Sequence, residues 1–409
     1  MGPFTFLLWA LLPAGPTPES AAQLQHAIER VEARYPPVAA NEQAVRLEQL
    51  AARIGIDLAP PLPDRAHPLL SEKDIVEKLK LAAYVLAQVE SPDSAIGAPP
   101  PEVTQYLQER SESLAGIRAL LLAGTPPLWA VDLARGKAAE PDPNSTGRIV
   151  LQRILLTKAL VDARASRASE AALWVEASWR LNESAWARPS MVWQLMAIAA
   201  ARWEAGVLRK LPDADPVWTT RMRFAPELDR VFGVMNDAFV IGFIEPPDPE
   251  ELKQWSPMEL LSGMAKAVEA LQKRDPCSFS RADAEGYWKP YFPGPIEKTL
   301  AEIAMPNLGS AARRLYRLRI EGELTARVLD ARRVLGGAEP PSAGTSAESP
   351  SSVCAGARWS TLAQPGGGAH VHFDGKFEDW TDESGIRPPL EFTIRPAVSA
   401  APTPTPAHP

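Results

Sequence analysis

Between Ile149 and Leu211 apolar residues recur at intervals of three and four, with almost no break between one periodic run and the next. The spacing of Val192, Leu195, Met196, Ala199, Trp203 and Gly206 predicts one amphipathic helix with these residues on its buried stripe and Arg202 at the edge. Pro189 and Ser190 mark its start, and Pro212 its end. Upstream, Ala171, Trp174, Val175, Ser178 and Leu181 form a second stripe, opposite Glu176, Arg180 and Glu183. A third helix, Leu151 to Ala163, is apolar around much of its circumference and should be covered on more than one side.

The same period predicts helices over 19–34, 41–54, 71–89, 103–122, 225–241, 256–273 and 307–335, separated by proline-rich breaks such as 59–68 and 97–101. In the last helix Tyr316, Ile320, Leu324, Val328, Ala331 and Leu335 should face inward, and Arg319, Glu323 and Arg327 should form a solvated ladder. After Gly336 the pattern changes. Residues 337–353, rich in Gly, Pro, Ser and Ala, read as a flexible linker. Alternation then predicts short antiparallel strands around 358–362, 370–374 and 376–380, closed by 390–394, with turns at Pro365 to Gly368 and at Asp374-Gly375. The expected fold is mainly α: an irregular helical-hairpin bundle or short α-solenoid over 23–336, with a small β meander over 354–395 docked on it. Residues 396–409, rich in Ala, Pro and Thr, should be disordered.

Residues Ser166 to Asn182, with small residues at Ala172 and Ser178 and Leu181 near the end, resemble the second half of a tetratricopeptide repeat. The chain carries one such unit. That resemblance implies a protein or peptide binder. The long helix followed by a Trp- and Cys-containing meander resembles a layout of uncharacterised exported bacterial proteins, which implies export and names no activity.

Composition narrows the classes. Across 409 residues the net charge is −7, which weighs against a nucleic-acid partner. No stretch approaches the roughly 18 apolar residues of a membrane-spanning helix. The block Phe4 to Leu12, within residues 1–22, has the length of a secretory h-region but lacks a basic start; it is either an export signal or a short apolar N-terminus packed on the body. Export would place the protein in the periplasm or outside the cell, and its absence in the cytoplasm. The cysteines Cys277 and Cys354 follow that choice: a single disulfide in an oxidising compartment, two buried thiols otherwise.

Candidate chemistry is sparse. His370, His372 and Asp374 lie two apart on a predicted strand, so two imidazoles and a carboxylate share one face, as in many divalent-metal sites. Glu378, Asp379 and Asp382 follow closely. An exposed polar hairpin face would carry the same letters. Of the 12 tryptophans, Trp174, Trp186, Trp193 and Trp203 lie on the central helices, and Tyr287, Trp288 and Tyr291 crowd one loop. These rings are either a ligand groove or, more simply, core. The motifs GxSxG, HExxH, GxxxxGK[ST] and GxGxxG are missing from the sequence, and no cofactor is indicated. The favoured function is a protein- or peptide-interaction scaffold. The alternative is a hydrolase-like enzyme with a divalent metal near His370 and His372.

Overall fold

A computed structural model of the chain describes residues 18–60, 72–133, 142–242, 257–292, 295–337, 339–376 and 388–396. It is mainly helical and closes with a small antiparallel sheet. In chain order the helices are α1 (Pro18–Arg34), α2 (Glu42–Arg53), α3 (Glu72–Glu90), α4 (Pro101–Glu109), α5 (Ser111–Leu122), α6 (Ser145–Arg164), α7 (Ala168–Trp186), α8 (Met191–Leu208), α9 (Val217–Arg221), α10 (Ala225–Gly242), α11 (Pro257–Gln272), α12 (Arg281–Gly286) and α13 (Pro295–Leu335). The strands are β1 (Ser346–Pro350), β2 (Arg358–Gln364), β3 (Gly368–Asp374) and β4 (Glu391–Ile394), paired in sequence order. The apolar N-terminal block, most of the 59–68 break, the strand expected over 376–380 beyond its first residue, Glu378, Asp379, Asp382 and the tail beyond Pro396 lie outside the described residues.

Helices α6, α7 and α8 pack on one another, with α3 and α13 against them, around the largest core. Gly206 of α8 sits so close to Val89 of α3 that an added Cβ would fall 2.4 Å from the valine Cβ. The stripe expected on α7 is buried as the period requires: Ala171, Trp174, Val175, Ser178 and Leu181. Of the stripe expected on α8 only Gly206 is buried, with Leu195, Met196 and Trp203 partly buried against the core. Val192 is 59% exposed, and the buried side is Trp193, Gln194, Ala197, Ile198, Ala201, Glu204, Ala205 and Leu208. The most buried face carries two polar side chains, Gln194 and Glu204, so the apolar residues alone turn the stripe away from it. The long run 103–122 is two helices, broken at Arg110.

Helix α13 starts twelve residues earlier than its period suggested and joins two cores. Ala311, Ala312, Leu315 and Leu318 belong to the helical core. Ile320, Leu324, Val328 and Ala331 pack under the sheet with Trp359, Ala369, Val371, Phe373, Phe392 and Ile394. Glu323 is not on a solvated ladder: it is buried, and its carboxylate accepts from the Ser351 hydroxyl, and from Ser352 through both backbone N–H and hydroxyl. That contact holds the turn leading into Cys354, which is joined to Cys277 by a disulfide with a Cα–Cα distance of 5.4 Å. The segment read as a flexible linker therefore contains β1 and an anchored turn.

The β2–β3 hairpin turns through Gly366 and Gly367, both at positive φ (79° and 85°), where a side chain would be strained. The β4 edge is covered by the 92–94 segment: Thr393 N–H donates to Pro92 O, Ser94 N–H donates to Thr393 O, and Arg395 pairs with Asp93. Covering an edge removes a template for unwanted pairing.

Candidate functional site on the outer face of the sheet

Alternation along β3 sends Ala369, Val371 and Phe373 into the core and His370 and His372 outward. Strand β4 alternates likewise, burying Phe392 and Ile394 and turning Glu391 and Thr393 out. The register sets His370 opposite Thr393 and His372 opposite Glu391. Directly opposed residues of an antiparallel pair have neighbouring side chains, so four polar groups meet on one patch.

Their geometry is ordered. His370 Nδ1 lies 3.2 Å from Thr393 Oγ1, and its Nε2 lies 3.6 Å from Glu391 Oε2. His372 Nδ1 lies 3.9 Å from the same Oε2, while its Nε2 lies 3.4 Å from Asp374 Oδ1. The imidazole planes are nearly parallel, 13° apart with centroids 6.1 Å apart. Each ring thus has one nitrogen held by an outer partner and the other turned toward Glu391. One ligand atom from each of His370, His372 and Glu391 falls within 4.8 Å of the other two.

Two imidazoles and a carboxylate suit zinc, copper or nickel better than magnesium or calcium, which favour oxygen ligands throughout. Bonds of about 2.0–2.2 Å to one ion put neighbouring ligand atoms about 3–3.5 Å apart, so small rotamer changes would bring the three groups onto a metal. His370, at 30% side-chain exposure, and Glu391, at 57%, leave the remaining coordination positions open to solvent.

The sequence pattern sets His370, His372 and Asp374 on one face, and the structure keeps them there. It moves Asp374 to the far nitrogen of His372, an orienting position, and supplies Glu391 as the third converging group. The signal that could have found Glu391 is the Leu390 to Ile394 alternation, which sets Glu391 and Thr393 on one face; its register against β3 had no sequence signal. The aromatic candidates sit elsewhere. Trp174, Trp186, Trp193, Tyr287 and Trp288 are buried in the helical core, and Trp203 and Tyr291 are partly buried against it. Trp174 donates to Asp162, Tyr287 donates to Met305 O, and Trp203 lies under the Arg153 guanidinium.

A second polar assembly lies inside the helices. Glu204 is fully buried and accepts from Gln152 Nε2 (2.9 Å), the Ser178 hydroxyl (2.8 Å) and Asn182 Nδ2 (3.5 Å). Burial pushes its carboxyl up to about 8, against the opposing pull of those three donors. Glu321 on α13 shows the opposite balance. Burial alone would raise it, but Arg202, Arg317 and Arg209 outweigh that and hold it below the ordinary carboxylate range. Among the described residues no helix is long and apolar enough to cross a membrane. Compared with protein-family models, curated proteins and solved structures, the chain matches none.

Proposed function

We propose that this chain is an exported helical protein that binds a divalent transition-metal ion on the outer face of its C-terminal sheet. The convergence of His370, His372 and Glu391, with Thr393 and Asp374 orienting the two rings, carries the reading. Outer partners that fix a ring's tautomer and direction are a recurring feature of metal-binding histidines. The cysteine pair supports export, because a structural disulfide persists in an oxidising compartment. Three ligands on an exposed face favour a site that takes up and releases its ion, with open positions for solvent or a partner's ligand. The peptide-groove version of the scaffold reading has less behind it, since five of the seven candidate rings lie in the core.

Titration of the full chain with zinc and with nickel against a chromophoric chelator tests the proposal. Wild type should bind one ion with a dissociation constant in about the micromolar range, and His372→Ala and Glu391→Ala should each weaken binding at least about tenfold. Affinity should fall in acid, because imidazole nitrogens must be deprotonated to ligate. Binding no tighter than the millimolar range, or unchanged in His372→Ala, would sink the reading.

A further inference from the structure

Arg148, near the start of α6, is 3% exposed, yet no carboxylate among the described residues pairs with it. Its Nη2 donates to Leu181 O at 2.8 Å and to the Ser184 hydroxyl, while Nη1 is buried with no hydrogen-bond partner among the described residues. The guanidinium lies against two indoles, with its carbon 4.6 Å from the Trp129 ring centre and 4.8 Å from that of Trp193. The charged neighbour acting on it is a second cation, Arg188, which also contacts the Trp193 ring at 5.2 Å.

The α7–α8 turn beside it repeats the deficit. Among the described residues Trp186 Nε1 is a buried donor without a partner, and Gln194 Oε1 is a buried acceptor without one, although Gln194 Nε2 donates to both Trp186 O and Arg188 O. Burying a guanidinium is unfavourable unless an opposite charge offsets the lost hydration. Contact with indoles returns part of that cost, as a cation–π interaction, and supplies no acceptor for Nη1.

We propose that the Arg148 guanidinium, held against the Trp129 and Trp193 indoles with Arg188 on the Trp193 ring, is a binding site for a small oxyanion, a carboxylate or a phosphate. An oxygen of such a group would accept from Nη1 and offset the charge of Arg148, while the indoles exclude water and strengthen the interaction. Asp142 lies on the solvent side of Arg188. Its side chain is 58% exposed and pairs with the buried Arg188, which also donates to Ala130 O. The carboxylate of Asp142 thus competes for the outer cation, and a ligand oxyanion would have to share or displace it. Burial lowers Arg148 to about 9, which leaves it charged at neutral pH and able to attract the anion.

Isothermal titration of the full chain with sodium phosphate and, separately, sodium acetate at fixed ionic strength tests this, with tryptophan fluorescence as a second readout. At least one of the two should bind saturably at one per chain and perturb the Trp129 and Trp193 emission. Arg148→Met, which keeps the stem between the indoles, should weaken binding by about tenfold or more, and Asp142→Asn should tighten it a few-fold. Acetate alone would identify a carboxylate ligand, and phosphate alone a phosphate. Failure of both to saturate below about 50 mM, or unchanged affinity in Arg148→Met, overturns the proposal. If Arg148→Met does not fold, the exposed Asp142→Asn decides, because a purely structural arginine predicts no tightening there.

Discussion

The helical body and the sheet place their polar chemistry on opposite sides of the apolar surface. In the sheet, alternation is strict: Trp359, Val371, Phe373, Phe392 and Ile394 go in, while His370, His372, Glu391 and Thr393 go out. In the helices, charged and amide groups go in: Glu204, Arg148, Arg209 and Gln194 are all buried. The difference follows from how much surface each element must cover. A four-stranded sheet lying on one helix has a free face, whereas α6 to α8 are packed on several sides and have no free face to receive every polar residue.

Helices therefore meet each other partly through hydrogen bonds, and α13 shows the device most fully. Arg209, the residue that caps the C-terminus of α8, donates to the Thr325 hydroxyl at 3.0 Å, and Arg332 donates to the carbonyls of Arg209 and Leu211 just beyond α8. Carbonyls at a helix end lack partners within their own helix, and a cation there also suits the helix dipole. Lys210 caps the 93–95 loop through Asp93 O and Ala95 O, with burial lowering its amine to about 8.

The largest expected effect that separates the two regions is the pH dependence of stability from Glu204. Its carboxyl rises from an ordinary 4.5 to about 8 on folding, so between those values the folded chain keeps a proton that the unfolded chain gives up. Stability should therefore fall as pH rises from about 4.5 to about 8, by roughly 4–5 kcal/mol in all from this group. Glu204→Gln should remove most of that slope in urea unfolding at pH 5, 6.5 and 8. An unchanged slope would mean that the buried carboxyl is not the group that titrates.

Next comes the clamp between the regions. Opening the Cys277–Cys354 bond frees a loop spanning a sequence separation of 77 and should cost roughly 4 kcal/mol on the chain-entropy model. Cys354→Ser should lower the unfolding midpoint, with the sheet losing amide protection before α6 to α8 do. Simultaneous loss in both regions would show that the two cores unfold as one unit.

The smallest effect belongs to the outer face. Glu391→Ala and His372→Ala should change stability by no more than about 0.5 kcal/mol in chelator, while metal affinity collapses. A large loss of stability without metal would make these residues structural parts of the sheet.

How much of the molecule is legible in its residues follows the same division. Period two in β3 is enough to place His370 and His372 together, because strand geometry leaves no other choice. Period 3.6 finds α7 and the inner ridge of α13 for the same reason. It misplaces the buried face of α8, because Glu204 accepts from partners on α6 and α7 and Gln194 donates to carbonyls at the end of α7 and in the turn after it, none of which a linear pattern shows. Glu391 is hidden because its approach to the histidines depends on β4 pairing with β3 across residues 375–390. Glu323 is hidden because its partners, Ser351 and Ser352, sit in a segment whose composition resembles a linker.

The most direct test of the metal reading is a crystal of the full chain soaked in zinc and measured on both sides of the zinc absorption edge. An anomalous peak within about 2.0–2.2 Å of His370 Nε2, His372 Nδ1 and a Glu391 oxygen is expected, with Asp374 hydrogen-bonded to the far nitrogen of His372. A peak ligated by Asp374 instead of Glu391, or no peak on this face, would contradict it.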